Sequence, residues 1–362
     1  MTPDQFREAA AGCTHFLCDH HRKKLRDRFR ELSESPLCDE RPDNYGRGGF
    51  VEKFEREIAD LLGKEAAVFM PSGTMAQPIA LRIWADRANN KTIAFHPTSH
   101  LELHEHMGYR ELHHLEAELL GDDSRLFTLD DLKAVEKPIG SLLIELPQRE
   151  IGGQLPTWDQ LRAITDYAKA SGMRLHLDGA RLWETQPFYG RPYREIVEAF
   201  DSVYVSFYKI LRGLPGAMLA GPADFIDEAR IWMRRQGGNL VVMAPNAISA
   251  KIGLDLHVHR IPDYVAKAAE IASILQEFPG VVVEPKAPPT NMMHVYLPTS
   301  AERALDACGQ IAEQEKTLLF QYFAQSERGT KSEIWIGEAA LDVAAERWRE
   351  LFGQFVGFIE KE

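Results

Sequence analysis

Lys209 closes an apolar, β-prone run, Ser202-Val203-Tyr204-Val205-Ser206-Phe207-Tyr208, and a glycine-broken loop, Arg212-Gly213-Leu214-Pro215-Gly216, soon follows it. A lysine at the end of such a strand is partly desolvated, which lowers its pKa and makes its amine nucleophilic toward an aldehyde. Asp178 closes an earlier buried-looking run, Leu175-His176-Leu177, just before Gly179-Ala180. A strand-terminal carboxylate reaches a cofactor lying over the sheet edge, and bonded to a pyridine nitrogen it keeps that nitrogen protonated. Earlier still, Phe69-Met70-Pro71 gives way to Ser72-Gly73-Thr74 and a helix start. Backbone N–H groups and the helix dipole favour a phosphate there, and Gly73 lets the backbone come close. Singly, each has an ordinary structural reading: a solvated lysine, a loop salt bridge, a helix cap. In this order they are handles for the phosphate, ring nitrogen and aldehyde of pyridoxal 5'-phosphate.

Two further positions bear on that chemistry. His100 lies in Ser99-His100-Leu101-Glu102-Leu103-His104-Glu105-His106. Its ring can stack on a pyridine face. A metal on His100 and His104, four residues apart, is the competing reading, but the segment is not H-E-x-x-H and shows no obvious third ligand, so no metal is expected. Arg181, three residues after Asp178, offers a fork of donors to a substrate carboxylate, with a structural salt bridge as the alternative.

These residues need a sheet to hold them. Apolar strand candidates fall at 66–70, 92–95, 110–115, 141–146, 173–177, 202–206 and 216–220, with helices near 49–62, 74–87, 129–136, 157–171 and 223–235. Such alternation predicts an α/β fold, a mainly parallel sheet of seven strands with helices on both faces and catalytic loops at the carboxyl ends. Residues 1–35 read as an N-terminal helical segment whose second helix, His20 to Arg30, is basic. Residues 36–255 read as the large α/β domain. Residues 256–362 read as a small α+β domain, with helices at 263–277, 300–314 and 339–360 and short strands at 281–284, 291–297, 318–322 and 333–336. The 362 residues are 44% hydrophobic and 27% charged, as in an ordinary globular protein. A formal net charge of -12 argues against nucleic acid and anionic membrane as partners. Four cysteines without a C-x-x-C pair, a polar acidic N-terminus and no long apolar run point to the cytoplasm.

The segments Asn44-Tyr45-Gly46, Gly63 through Met75, Ser99-His100, Gly152-Gly153-Gln154-Leu155-Pro156 and His176-Leu177-Asp178-Gly179-Ala180-Arg181-Leu182 resemble the low-specificity threonine aldolases. These belong to the β-eliminating lyase group of fold-type-I pyridoxal phosphate enzymes. The resemblance runs from about residue 15 to the C-terminus. It implies that Lys209 bonds the cofactor aldehyde and Asp178 its ring nitrogen. It implies that His100 stacks on the ring and acts as a base, that Ser72, Gly73 and Thr74 hold the phosphate, and that Arg181 contacts the substrate carboxylate. It also implies a homodimer or homotetramer with shared active sites, in which Tyr45 serves a neighbouring subunit. The departures concentrate on the substrate: Cys18 stands where the family has a serine, Gln148 where it has a histidine, and Trp335 where it has a second carboxylate-binding arginine. The expected activity is therefore cleavage of the Cα–Cβ bond of a β-hydroxy-α-amino acid other than threonine. The alternative is β-elimination, transamination or racemisation of an atypical amino acid or amine.

Overall fold

The computed structural model describes residues 1–360, which pack as two compact units. The larger spans Lys24–Glu150 and Leu155–His259. Its seven strands are β1 (Ala66–Met70), β2 (Thr92–Phe95), β3 (Glu116–Leu119), β4 (Ser141–Glu145), β5 (Arg174–Gly179), β6 (Ser202–Ser206) and β7 (Ala217–Gly221). They lie in the order β1-β7-β6-β5-β4-β2-β3. β7 runs antiparallel to both neighbours and every other pairing is parallel, as expected. Strands buried on both faces read as continuous apolar runs, and β6 and β7 are buried along their whole length.

Helices α1 (Gly49–Leu62) and α2 (Gly73–Ala88) carry the amino-terminal part of this unit. In α1 the buried Phe50, Phe54, Ile58 and Leu62 recur at four-residue steps, and Gly63 closes the helix in the left-handed conformation. Buried Glu55 leaves that apolar face only to pair with Arg230 and to accept a bond from the Phe69 N–H, 2.8 Å away. α2 lays Ile79, Ala80, Ile83 and Trp84 into a core with Tyr204, Leu219 and Phe225, where Trp84 stacks on Phe225 at 4.6 Å.

One expected strand is not there. Residues 110–115 form no strand; a single helical turn, Gly108–Glu111, precedes β3. Tyr109, Leu112 and Leu115 are spaced three residues apart, which suits a turn of helix, whereas β3 is Glu-Ala-Glu-Leu. It pairs on one side only and so carries charge rather than bulk.

The smaller unit comprises Met1–Lys23, Ile151–Gln154 and Arg260–Glu362. Its core is a four-stranded antiparallel sheet in the order Ala324–Ser326, Gly329–Trp335, Met292–Leu297, Val282–Glu284. Helices Ile261–Leu275, Ala301–Glu315 and Ala345–Glu360 accompany it. Gly152, at φ 81, passes so close to the Glu284 carbonyl that a Cβ would lie 2.3 Å from its oxygen. The basic segment is not helical from His20; its helix begins at Leu25. Among the described residues no helix is long and apolar enough to cross a membrane.

Candidate active site

The carboxyl ends of the parallel strands set the first residues of the site. Register places Glu145 of β4 opposite Asp178 of β5, and Asp178 opposite Tyr204 of β6. Three side chains thus stand in one row on one face of the sheet. Asp178 is 2% exposed, and its Oδ1 accepts the Ala180 N–H at 3.0 Å. Glu145 accepts from the Gln148 side-chain amide at 3.0 Å and from the Arg149 N–H at 3.2 Å.

Lys209 does not end the strand itself. β6 stops at Ser206, and a tight loop carries the lysine back over the sheet edge. Within it the Gly213 N–H donates to the Phe207 carbonyl at 2.7 Å and the Arg212 N–H to the Lys209 carbonyl at 2.9 Å. Phe207 is fully buried against Phe54 and Trp183, with ring centroids 5.1 and 5.9 Å away, and anchors the segment. The Trp183 indole donates to the Ser206 carbonyl at 2.8 Å. The loop is therefore fixed by packing and hydrogen bonds on both sides of the lysine.

One pocket brings together Gly73, Thr74, Gln77, His100, Glu105, Glu145, Arg149, Asp178, Arg181, Tyr204, Tyr208 and Lys209. Burial, helped by the neighbouring Arg181 guanidinium, brings the Lys209 amine down to about 8. Burial raises Asp178, and burial with the Asp178 carboxylate beside it pushes Glu145 up to about 8. Two adjacent buried carboxyls do not both ionise readily, so Glu145 holds a proton near neutrality. His100 Nδ1 lies 2.9 Å from Glu105 Oε1. That contact places the ring's proton on Nδ1 and leaves Nε2 as an acceptor.

The other expected site residues are placed as follows. Ser72 is the cap of α2, its Oγ accepting from the Met75 N–H at 3.3 Å. Gln148 is 2% exposed and spends its amide N–H groups on Glu145 and on Thr98 Oγ1 at 3.1 Å. Cys18 and Trp335 belong to the smaller unit; Cys18 is buried, which pushes its thiol up to about 12, and Trp335 ends the strand Gly329–Trp335. Glu105, Glu145, Tyr208 and Arg149 line the pocket without having been singled out from sequence. Glu145 was within reach, because counting back through two parallel strands pairs it with Asp178. Glu105, five residues from His100, carries no pattern that marks it.

Pyridoxal phosphate fits these residues. The amino-terminal turn of α2 meets the pocket at Gly73, where a Cβ would lie 2.0 Å from the Tyr204 hydroxyl, so only glycine leaves that cradle open. A lysine, a carboxylate with one oxygen uncommitted to backbone, and a helix amino terminus face one space. Glu105 Oε2 is buried with no hydrogen-bond partner among the described residues, a polar atom awaiting a donor.

Sheet order, antiparallel seventh strand and pocket together define a fold-type-I pyridoxal phosphate enzyme. The β-eliminating lyase family model matches residues 38–298. The chain belongs to that family and is a pyridoxal phosphate-dependent carbon–carbon lyase of threonine-aldolase type. A candidate L-allo-threonine aldolase from Listeria monocytogenes EGD-E superposes with a TM-score of 0.94 at 39% identity, covering 98% of this chain and 99% of that one. The low-specificity L-threonine aldolase 1 of Arabidopsis thaliana is 25% identical over 86% of this chain and 87% of its own length. The low specificity L-threonine aldolase of Escherichia coli K12 is 28% identical over 70% and 76%.

The buried acid pair gives a pH signature. Between the ordinary carboxylate range and about 8, the folded protein keeps a proton on Glu145 that the unfolded chain has released. Folding then binds the extra proton, so stability falls as pH rises through that window. In cofactor-free protein, Glu145→Gln is expected to flatten this descent by ~1 kcal/mol per pH unit. Denaturant midpoints of both proteins between pH 5 and 8 measure it. Parallel slopes would show that the proton resides elsewhere.

Proposed function

We propose that the protein cleaves the Cα–Cβ bond of a β-hydroxy-α-amino acid with a side chain bulkier than that of threonine, releasing glycine and an aldehyde. The observation that carries this reading is the convergence of Lys209, Asp178 and the His100–Glu105 pair on one pocket. Bound pyridoxal phosphate supplies an electron sink for the bonding pair released at Cα. Gly73 and Thr74, with the α2 dipole, receive its phosphate, and Asp178 keeps its ring nitrogen protonated. Lys209 would bond the aldehyde carbon in the resting enzyme. Arg181 orients the substrate carboxylate.

His100 Nε2 takes the β-hydroxyl proton as the bond breaks, and Glu105 holds the opposite ring nitrogen and stabilises the charge that develops. Lys209, once released from the aldehyde, would return a proton to Cα to complete glycine. Exposed Tyr45, whose N–H bonds the Val241 carbonyl at 2.9 Å, and exposed Leu240, Val241 and Val242 offer an apolar strip for a second copy of the chain. A homodimer or homotetramer is the assembly this strip supports, and four free thiols suit a cytoplasmic location.

Substrate choice tests it. Where the resembling family has a second carboxylate-binding arginine this chain has Trp335, and an indole cannot pair with a carboxylate but favours an aromatic substituent. Aldehyde release from phenylserine is therefore expected to exceed that from L-threonine in kcat/KM. Efficient threonine cleavage by the unaltered protein would overturn the preference and point to Arg149 as a second carboxylate ligand. Release of ammonia without aldehyde would replace cleavage with elimination.

A further inference from the structure

The sequence patterns draw no attention to Gln77. It lies on α2 one turn beyond Thr74, is 2% exposed and lines the pocket. Behind it, away from the pocket, runs a buried chain of polar groups. His176 Nε2 lies 2.6 Å from Gln77 Oε1, His176 Nδ1 lies 2.8 Å from Ser202 Oγ, and Trp84 Nε1 donates to the same Ser202 oxygen at 2.7 Å. His176 and Ser202 are fully buried and face each other in register across β5 and β6. Gln77 and Trp84, two turns apart, reach them from one face of α2.

The protons on this chain can be placed. An indole nitrogen only donates, so Ser202 Oγ accepts from Trp84 and has its own proton to give. His176 Nδ1 is the acceptor within reach. Burial brings His176 down to about 3, so the ring is neutral and its single proton sits on Nε2. Nε2–H then donates to Gln77, which must present its oxygen. Turning the amide over would force the imidazole proton onto Nδ1 and take that acceptor away from the Ser202 hydroxyl. The amide oxygen of Gln77 is thereby committed to His176. Its NH₂ group makes no hydrogen bond to any described residue. That NH₂ group opens onto the pocket, where a ligand oxygen can accept from it.

We propose that Gln77 is a further cofactor-binding residue, an N–H donor to an oxygen of pyridoxal phosphate, held in that sense by His176, Ser202 and Trp84. The inference rests on the reading of this pocket as the cofactor site. His176, Ser202 and Trp84 are positioning residues: they touch no ligand and fix which end of the amide faces one.

Cofactor-stripped protein titrated with pyridoxal phosphate, followed by visible absorbance, tests the proposal. Gln77→Glu keeps an oxygen acceptor for His176 and removes both donors; Gln77→Leu removes everything. Both are expected to weaken cofactor binding at least ~10-fold. Ser202→Ala leaves Gln77 in place but frees the His176 tautomer, and is expected to weaken binding by a smaller factor. A purely structural role would lower the melting temperature of stripped protein and leave the dissociation constant alone. Unchanged cofactor affinity in the variants that fold, with wild type labelled on Lys209 by borohydride, overturns the inference and leaves the pocket reading standing. Wild type that carries no cofactor on Lys209 overturns the pocket reading itself. If neither Gln77 variant folds, Ser202→Ala decides: wild-type affinity there refutes the proposed chain.

Discussion

Lys209→Ala is expected to abolish turnover and covalent retention of pyridoxal phosphate together. The loop that carries Lys209 is held by Phe207 in its aromatic cluster and by backbone bonds to Gly213 and Arg212, none of which involves the amine. The variant should therefore fold. What it loses is the amine that burial and Arg181 bring near 8, and with it both the bond to the aldehyde and the proton delivered to Cα. Losing the proton transfer alone costs on the order of 10²–10⁴-fold, and losing the covalent link adds to that. Borohydride reduction of wild type followed by peptide mapping should place the label on the Lys209 peptide. Label on another lysine would move the site, and a variant with substantial turnover would end the assignment.

Asp178→Asn should leave the fold and cofactor binding largely intact while lowering kcat on the order of 10²-fold or more. The asparagine amide oxygen can still accept the Ala180 N–H that Oδ1 accepts now. What disappears is the negative charge that keeps a pyridine nitrogen protonated, and so the sink for the electrons released at Cα. The neighbouring Glu145 does not substitute: burial still raises its pKa once the Asp178 charge is gone, and its two oxygens already accept from the Gln148 amide and the Arg149 N–H. Rapid kinetics on the variant with saturating cofactor check the prediction, and near wild-type turnover would falsify the electron-sink role.

Much of this architecture was legible from sequence where local signals agreed. β1 is bounded correctly because Gly63 caps α1 before it and Pro71 stops it after, and β6 because its middle residues, Val203, Tyr204 and Val205, are β-prone and buried on both faces. β3 escapes a reading of the sequence because an edge strand with one partner carries alternating charge, whereas the apolar residues that draw attention, Tyr109 and Leu115, are buried on either side of a helical turn's end. The expected helix over 339–360 is really a 3₁₀ turn at Glu338–Asp342 and a separate helix from Ala345. At the site, Asp178, Lys209 and Gly73 announced themselves through strand ends and a helix start. Glu145, Glu105 and Gln77 did not, since their place depends on pairings between distant segments and on proton positions in a buried chain. No motif records those.

The row formed by Glu145, Asp178 and Tyr204 constrains how this gene can change. Successive strand residues point to opposite faces, so one codon inserted or deleted within β5 ahead of Asp178 turns that carboxylate to the wrong side of the sheet. The same slip carries His176 away from Ser202. Such a length change discards the site while every amino acid needed for it is still encoded. Point substitutions at the rims are far gentler. Lineages of this protein are thus expected to drift in side chains and loop lengths while the residue count of β4, β5 and β6 stays frozen.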